Sequence, residues 1–261
     1  MGKKIIVGNW KLNKNLQEVA EWVDGIKIKL KKVSFDKNLD VVVCPSYPYL
    51  LGMVDLLQDT GIKVGAQDIS QFEEGTYTGE VSGKMLSEIV DYVLIGHSER
   101  RKYFKEDLTI IKRKTDKALM NHLIPVVCLS DKIWGDGLPS VKYNENFFLN
   151  QIKVVIKGLN SNEIKRIIFA YEPPTAISKQ KHEKGIGHAA DINKVIKMIE
   201  FIKTIVPDNK VIYGGSVKAD NVMSYLSNDV IDGVLPGSAS LHAQDFTQMI
   251  IKAEEGLSGL H

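Results

Sequence analysis

Glu172, His97, Lys11 and Asn9 are the residues of this 261-residue chain whose types and settings could move a proton and hold an anion. Glu172 ends the apolar run Ile167-Ile168-Phe169-Ala170-Tyr171 and precedes Pro173-Pro174. Apolar surroundings disfavour an ionised carboxylate, so an acid at that place is a stronger base than a solvated one and is suited to taking a proton near neutral pH. The same position also suits a strand-end acid in an ion pair. His97 lies in Ile95-Gly96-His97-Ser98-Glu99-Arg100-Arg101, where an apolar run meets a helix start. Main-chain N–H groups there favour a neutral ring, which could polarise a carbonyl and shuttle protons. Lys11, in Gly8-Asn9-Trp10-Lys11-Leu12-Asn13, could hold an anionic substrate, with Asn9 on the same side if the backbone stays extended. A solvated loop lysine is the plainer alternative.

Two glycine clusters point to phosphate: Tyr213-Gly214-Gly215-Ser216-Val217 and Leu235-Pro236-Gly237-Ser238-Ala239-Ser240-Leu241. Glycine lets the backbone approach an oxyanion closely and aim N–H groups at it, and a following short helix adds its positive end. No metal site is expected. His122, His182, His188, His242 and His261 are dispersed, with no second His or Cys at ligand spacing.

These residues need elements that bring them together. Short β-branched runs recur at Lys4-Ile5-Ile6-Val7, Val41-Val42-Val43-Cys44, Ile62-Lys63-Val64-Gly65, Tyr92-Val93-Leu94-Ile95, Pro125-Val126-Val127-Cys128-Leu129, Ile167-Ile168-Phe169-Ala170, Val211-Ile212-Tyr213 and Gly233-Val234-Leu235. Their continuous hydrophobicity predicts strands buried on both faces, as in a parallel sheet covered by helices. Between them, Leu16, Val19, Ala20, Val23, Ile26 and Leu30, or Ile192, Val195, Ile196, Ile199, Ile202 and Ile205, recur at helical spacing. Eight runs in 261 residues give about 33 residues per strand-and-helix unit, the size of an eight-stranded parallel β/α barrel. An open doubly wound sheet is the rival architecture. No linker or low-complexity tract divides residues 1–261, so a single domain is expected. In a barrel the chemistry gathers where strands end and βα loops begin, and every candidate above follows such a run.

Composition narrows the function classes. Lys and Arg number 34 against 32 Asp and Glu, for a net charge of +2, which leaves no basic footprint for nucleic acid. No run approaches the roughly 18 apolar residues of a membrane span, and the first residues carry no leader pattern. The two cysteines, Cys44 and Cys128, sit in apolar runs and suit a reducing, cytoplasmic setting. A small-molecule partner is expected.

Together the motifs resemble the triosephosphate isomerase family. Gly8-Asn9-Trp10-Lys11, Ala66-Gln67-Asp68, Thr76-Tyr77-Thr78-Gly79-Glu80, Gly96 to Arg101, Ala170-Tyr171-Glu172-Pro173, Tyr213 to Val217 and Gly237 to Leu241 stand in that family's order at similar intervals, nearly end to end. The resemblance implies a TIM barrel and cofactor-free, metal-free interconversion of D-glyceraldehyde 3-phosphate and dihydroxyacetone phosphate through an enediolate, in glycolysis and gluconeogenesis. It implies Glu172 as the base, His97 as the neutral electrophile, Lys11 and Asn9 as stabilisers of developing charge, and Glu99 as a supporting acid. Phosphate would rest on N–H groups around Ser178, Ser216, Gly237 and Ser238. Thr78 resembles the tip of a loop that enters a partner subunit, which implies a homodimer.

The chain departs from the family after Glu172. The usual mobile lid, Pro-Val-Trp-Ala-Ile-Gly-Thr-Gly-Lys, is replaced by Pro173, Pro174, Thr175, Ala176, Ile177, Ser178, Lys179, Gln180 and Lys181. Pro174 fixes φ, and Ser178 and Gln180 lack the freedom of the two glycines, so a stiffer lid and a turnover below the family's norm are expected. Cys128-Leu129-Ser130-Asp131 stands where Cys-Val-Gly-Glu is usual, so Asp131 and Thr175 replace a paired Glu and Trp. The segment Asp131 to Asn146 departs too. Ser238 replaces a glycine and Asp68 an asparagine. The altered lid leaves an alternative open, a phosphosugar-binding barrel with impaired catalysis.

Overall fold

The computed structural model describes residues 2–31, 33, 35, 37–130, 145–173 and 190–259. The eight runs form eight strands: β1 (Lys4–Asn9), β2 (Leu39–Cys44), β3 (Ile62–Ala66), β4 (Tyr92–Ile95), β5 (Ile124–Ser130), β6 (Ile168–Glu172), β7 (Val211–Tyr213) and β8 (Gly233–Val234). Each pairs in parallel with its neighbours in chain order, and β8 closes on β1. The sheet is therefore a closed barrel rather than a doubly wound sheet. Closure removes both edges, so the strand ladders, including the two-residue β8, are flanked on both sides.

Among the described residues, ten α-helices alternate with the strands: α1 (Leu16–Leu30), α2 (Leu50–Leu57), α3 (Gly83–Ser87), α4 (Ser98–Phe104), α5 (Leu108–Met120), α6 (Glu145–Ile156), α7 (Ser161–Lys165), α8 (Ile192–Ile205), α9 (Val222–Leu226) and α10 (Ala243–Ser258). Asn15 starts α1 with a capping box, its side chain accepting from the Glu18 N–H while the Glu18 carboxylate accepts from the Asn15 N–H. Asp107 caps α5.

The continuous strand runs hide a two-residue alternation. Ile5, Val7, Val42, Cys44, Leu94, Val126, Cys128, Ile168, Ala170 and Ile212 fill the inside of the barrel. Ile6, Val41, Val43, Val93, Ile95, Val127, Leu129, Phe169 and Tyr171 face the helices. Both sets are apolar because both faces are covered, which is why the period of two does not show in the sequence. Helix α8 buries Val195, Met198, Ile199 and Ile202, close to the expected stripe. In α1 the stripe is corrected: Val19, Trp22, Val23, Ile26 and Leu30 are buried, whereas Ala20 is exposed and Leu16 is 73% exposed. Trp22 turns inward because its ring packs edge-on against Trp10, with centroids 4.9 Å apart. No helix among the described residues is long and apolar enough to cross a membrane.

Candidate active site

The alternation of β6 carries from Ile168 through Ala170 to Glu172, so the acid faces the barrel interior at the C-terminal rim, 2% exposed. Alternation carries Asn9 inward in the same way at the end of β1. From β6 the Glu172 side chain reaches past β5 to the end of β4. Its Oε1 lies 3.1 Å from His97 Nε2, and its Oε2 accepts a 3.1 Å hydrogen bond from the Ser98 N–H. Gly214 makes room for it. A Cβ at that position would stand 2.9 Å from Glu172 Cγ.

His97 is the N-cap of α4, and its Nδ1 accepts the Glu99 N–H at 3.3 Å. An accepting Nδ1 assigns the ring proton of a neutral imidazole to Nε2, the atom facing Glu172. The turn into this cap is made at Gly96, whose φ of 67° favours glycine. Arg101, buried behind it, donates to the carbonyls of Gly96 and Cys128, at 2.7 and 2.5 Å, and so ties the cap to β5. Burial, and next the negative charge of Glu172, push the Cys128 thiol up, which keeps it neutral.

Lys11 does not continue the extended strand, contrary to the expectation that would have put it and Asn9 on one side. Its φ is 54°, and Asn9 Oδ1 accepts the Lys11 N–H at 2.9 Å. Gln67, at the end of β3, donates from Nε2 to the carbonyls of Lys11 and Cys44, both at 2.9 Å. So held, Lys11 extends its ammonium to within 2.6 Å of Glu99 Oε1. Glu99 thus stands between Lys11 and His97. The loop after β8 lies beside this lysine, since a Cβ on Gly237 would come within 3.4 Å of Lys11 Cε.

A cleft of about 670 Å³ is lined by Asn9, Lys11, Gln67, His97, Gly237 and Ser238, among others. Ser238 is exposed, and Ser216 is half-buried in the loop after β7, where its carbonyl accepts from Asn221 Nδ2. Trp10 and Trp22 donate their indole N–H groups to one acceptor, the Ser240 carbonyl, at 3.1 and 3.0 Å. That bond pair anchors the loop of Gly237 and Ser238 from below. Behind His97, Lys114 donates to both oxygens of Asp68 at 2.7 Å and to Glu106 at 2.5 Å, while Arg100 pairs with Asp68 and Glu106. Burial, reinforced by the charge of Glu106 and opposed by Lys114 and Arg100, raises the Asp68 carboxyl to about 6.

Thr78 is exposed on the loop between β3 and α3, next to Tyr77, whose ring stacks on Phe72 at 3.9 Å. Pro173 is buried directly after Glu172. The remaining lid positions, Pro174, Thr175, Ala176, Ile177, Ser178, Lys179, Gln180 and Lys181, lie outside the described residues, as does Asp131 to Asn144. Among the described residues no group of three or more His, Cys, Asp or Glu could hold a metal ion. The glycine cluster signalled Gly214, but the bracing parts played by Gln67, Arg101 and Trp22 had no local signal.

Fold and site together define the class: a β/α-barrel enzyme whose paired carboxylate and imidazole sit at the C-terminal rim beside a cation. The family model described as triosephosphate isomerase matches residues 4–253. A triosephosphate isomerase of Clostridium botulinum is 39% identical over 262 residues, covering 96% of this chain and 99% of its own length. One from Dictyoglomus turgidum is 37% identical with the same coverage. The crystal structure of triosephosphate isomerase from Bartonella henselae superposes with a TM-score of 0.77 at 25% identity, over 97% of this chain and 99% of its own. The chain belongs to the triosephosphate isomerase family.

Proposed function

We propose that the chain, as one domain, interconverts D-glyceraldehyde 3-phosphate and dihydroxyacetone phosphate in glycolysis and gluconeogenesis, without a cofactor. The observation that carries this reading is the 3.1 Å approach of Glu172 Oε1 to His97 Nε2 in a buried rim site. Glu172 takes the proton from the carbon next to the substrate carbonyl. The electron pair moves onto the carbonyl oxygen, where the His97 Nε2–H and the Lys11 ammonium meet the growing negative charge. Proton transfer between the two enediolate oxygens through His97, and return of the first proton to the neighbouring carbon by Glu172, completes the exchange. No net atom is gained or lost.

Asn9 and Glu99 hold Lys11 in place, and the phosphate rests on N–H groups at Ser216, Gly237 and Ser238, with Ser178 closing from the segment Pro173 to Lys181. The lid role is assigned to the segment from Pro173 to Lys181 on its sequence alone, and Pro174, Ser178 and Gln180 are expected to lower turnover. A homodimer completes the site, with Thr78 at the tip of the inserted loop. Support for it comes from apolar side chains left exposed around the cleft: Leu12 is 95% and Phe104 65% exposed. The setting is cytoplasmic, in keeping with the buried free thiols of Cys44 and Cys128.

Purified protein assayed with glyceraldehyde 3-phosphate tests the reading, with Glu172→Gln as the control for a contaminating host isomerase. Turnover that is lost by at least a hundredfold in the control supports it. Turnover equal in both proteins would sink it, and tight binding of 2-phosphoglycolate without turnover would favour the binding-barrel alternative instead. Sedimentation at twice the chain mass tests the dimer.

A further inference from the structure

Ser130 is the last residue of β5 and is fully buried. Its main chain is fixed from outside the barrel: Gln151 of α6 donates to the Ser130 carbonyl at 2.7 Å and accepts its N–H at 3.4 Å. Its hydroxyl, by contrast, has no hydrogen-bond partner among the described residues. A buried hydroxyl left unpaired is costly, and a catalytic role is one of the reasons a native protein keeps one.

Strand register places Ser130 beside Glu172. Val126 and Cys128 face the barrel interior, and the alternation places Ser130 on the same face. It stands opposite Glu172 in the β5–β6 ladder, where strands run about 4.8 Å apart. Glu172 reaches from β6 to His97 and Ser98 beyond β4, so its carboxylate lies over the strand that carries Ser130. To reach a substrate carbon, Glu172 must release Oε1 from His97 or Oε2 from the Ser98 N–H, and Ser130, standing where the usual motif Cys-Val-Gly-Glu has glycine, offers an unpaired hydroxyl on the same barrel face.

We propose that Ser130 is a positioning residue: its hydroxyl donates to the Glu172 carboxylate when that carboxylate turns from its resting contacts toward the substrate. This inference rests on the reading of Glu172 as the base. The charged and titratable groups around the carboxylate are His97 at the β4–α4 junction, Arg101 on α4 and Cys128 on β5. None of them carries a hydroxyl, and Ser98, whose own hydroxyl is also unpaired among the described residues, holds the carboxylate by its N–H in the resting arrangement.

Ser130→Ala and Ser130→Gly remove the hydroxyl, and Ser130→Thr keeps it. The expected result is a roughly tenfold lower kcat for the first two, with KM within about twofold, and substantial recovery in the third. Because the bond forms only in the substrate complex, the acid limb of the kcat profile moves about one unit to higher pH, while that of kcat/KM stays in place. A packing role would move neither limb. Thermal unfolding of each variant separates folding defects from this effect. Identical kcat profiles in wild type and Ser130→Ala, with wild-type turnover dependent on Glu172, would overturn the inference alone. A wild type with no Glu172-dependent turnover would overturn the function and this inference together.

Discussion

Asn9 Oδ1 accepts the main-chain N–H of Lys11 at 2.9 Å, and this bond closes the turn that holds Lys11 at a φ of 54°. A non-glycine residue in the left-handed region costs about 1 kcal/mol, so the turn persists only while its neighbours hold it. Gln67 supplies the other restraint, through the Lys11 carbonyl.

Asn9→Ala is expected to lower kcat/KM by roughly a hundredfold, because the ammonium leaves its place beside Glu99. Stability should change by less than about 1 kcal/mol, since the lost hydrogen bond is offset by relief of the strained φ. Steady-state kinetics and urea unfolding on the same sample check both halves. A large loss of stability with full activity would show that Asn9 serves the fold and not Lys11.

Trp22→Phe removes the 3.0 Å indole bond to Ser240 but leaves that of Trp10. Lost hydrogen bonding and ring volume together should destabilise the chain by about 1–3 kcal/mol. Ser240 is tied by its own N–H and hydroxyl to the Gly237 carbonyl, at 2.9 and 2.7 Å. A rise of several-fold in KM for the triose phosphate, with kcat little changed, is therefore expected. An unaltered KM in the folded variant would show that the loop is held without the indoles.

Asp68 gives stability a pH dependence of definite sign. Its folded carboxyl is raised to about 6 from an ordinary 3.8, so between these values the folded state binds the proton that the unfolded chain has released. Folding therefore weakens as pH rises from about 4 to 6, by an amount on the order of 3 kcal/mol, and the loss is complete above that window. Asp68→Asn removes this slope. Urea midpoints at pH 4, 5, 6 and 7 for both proteins check it, the difference between them cancelling the other carboxylates. A wild type that gains stability relative to the variant as pH rises through that window would reverse the assignment.

Much of the architecture was legible because it is written in short range. Eight apolar runs, each followed by a polar or glycine-rich turn, mark the strands, and all eight form a closed barrel. The positions of Glu172 and His97 at strand ends followed from the same punctuation. Periodicity misled in α1, where Leu16 fits the helical spacing yet lies exposed, and Trp22 takes the buried place. Hydrophobicity reports what a residue tolerates, whereas the fit of two indoles against each other decides which face turns inward.

By itself, then, the sequence determined the number and order of the strands, the rim on which the reactive side chains stand, and the types of group available there. Those depend on local pattern, apolar runs of strand length each closed by a polar or glycine-rich turn. The tertiary structure alone decided how the groups are held. Lys11 meets Glu99 across 88 residues of chain, Gln67 reaches Lys11 across 56, and Glu172 takes the Ser98 N–H across 74. No local propensity encodes such contacts, because each exists only when barrel closure brings separate strand ends within hydrogen-bond distance.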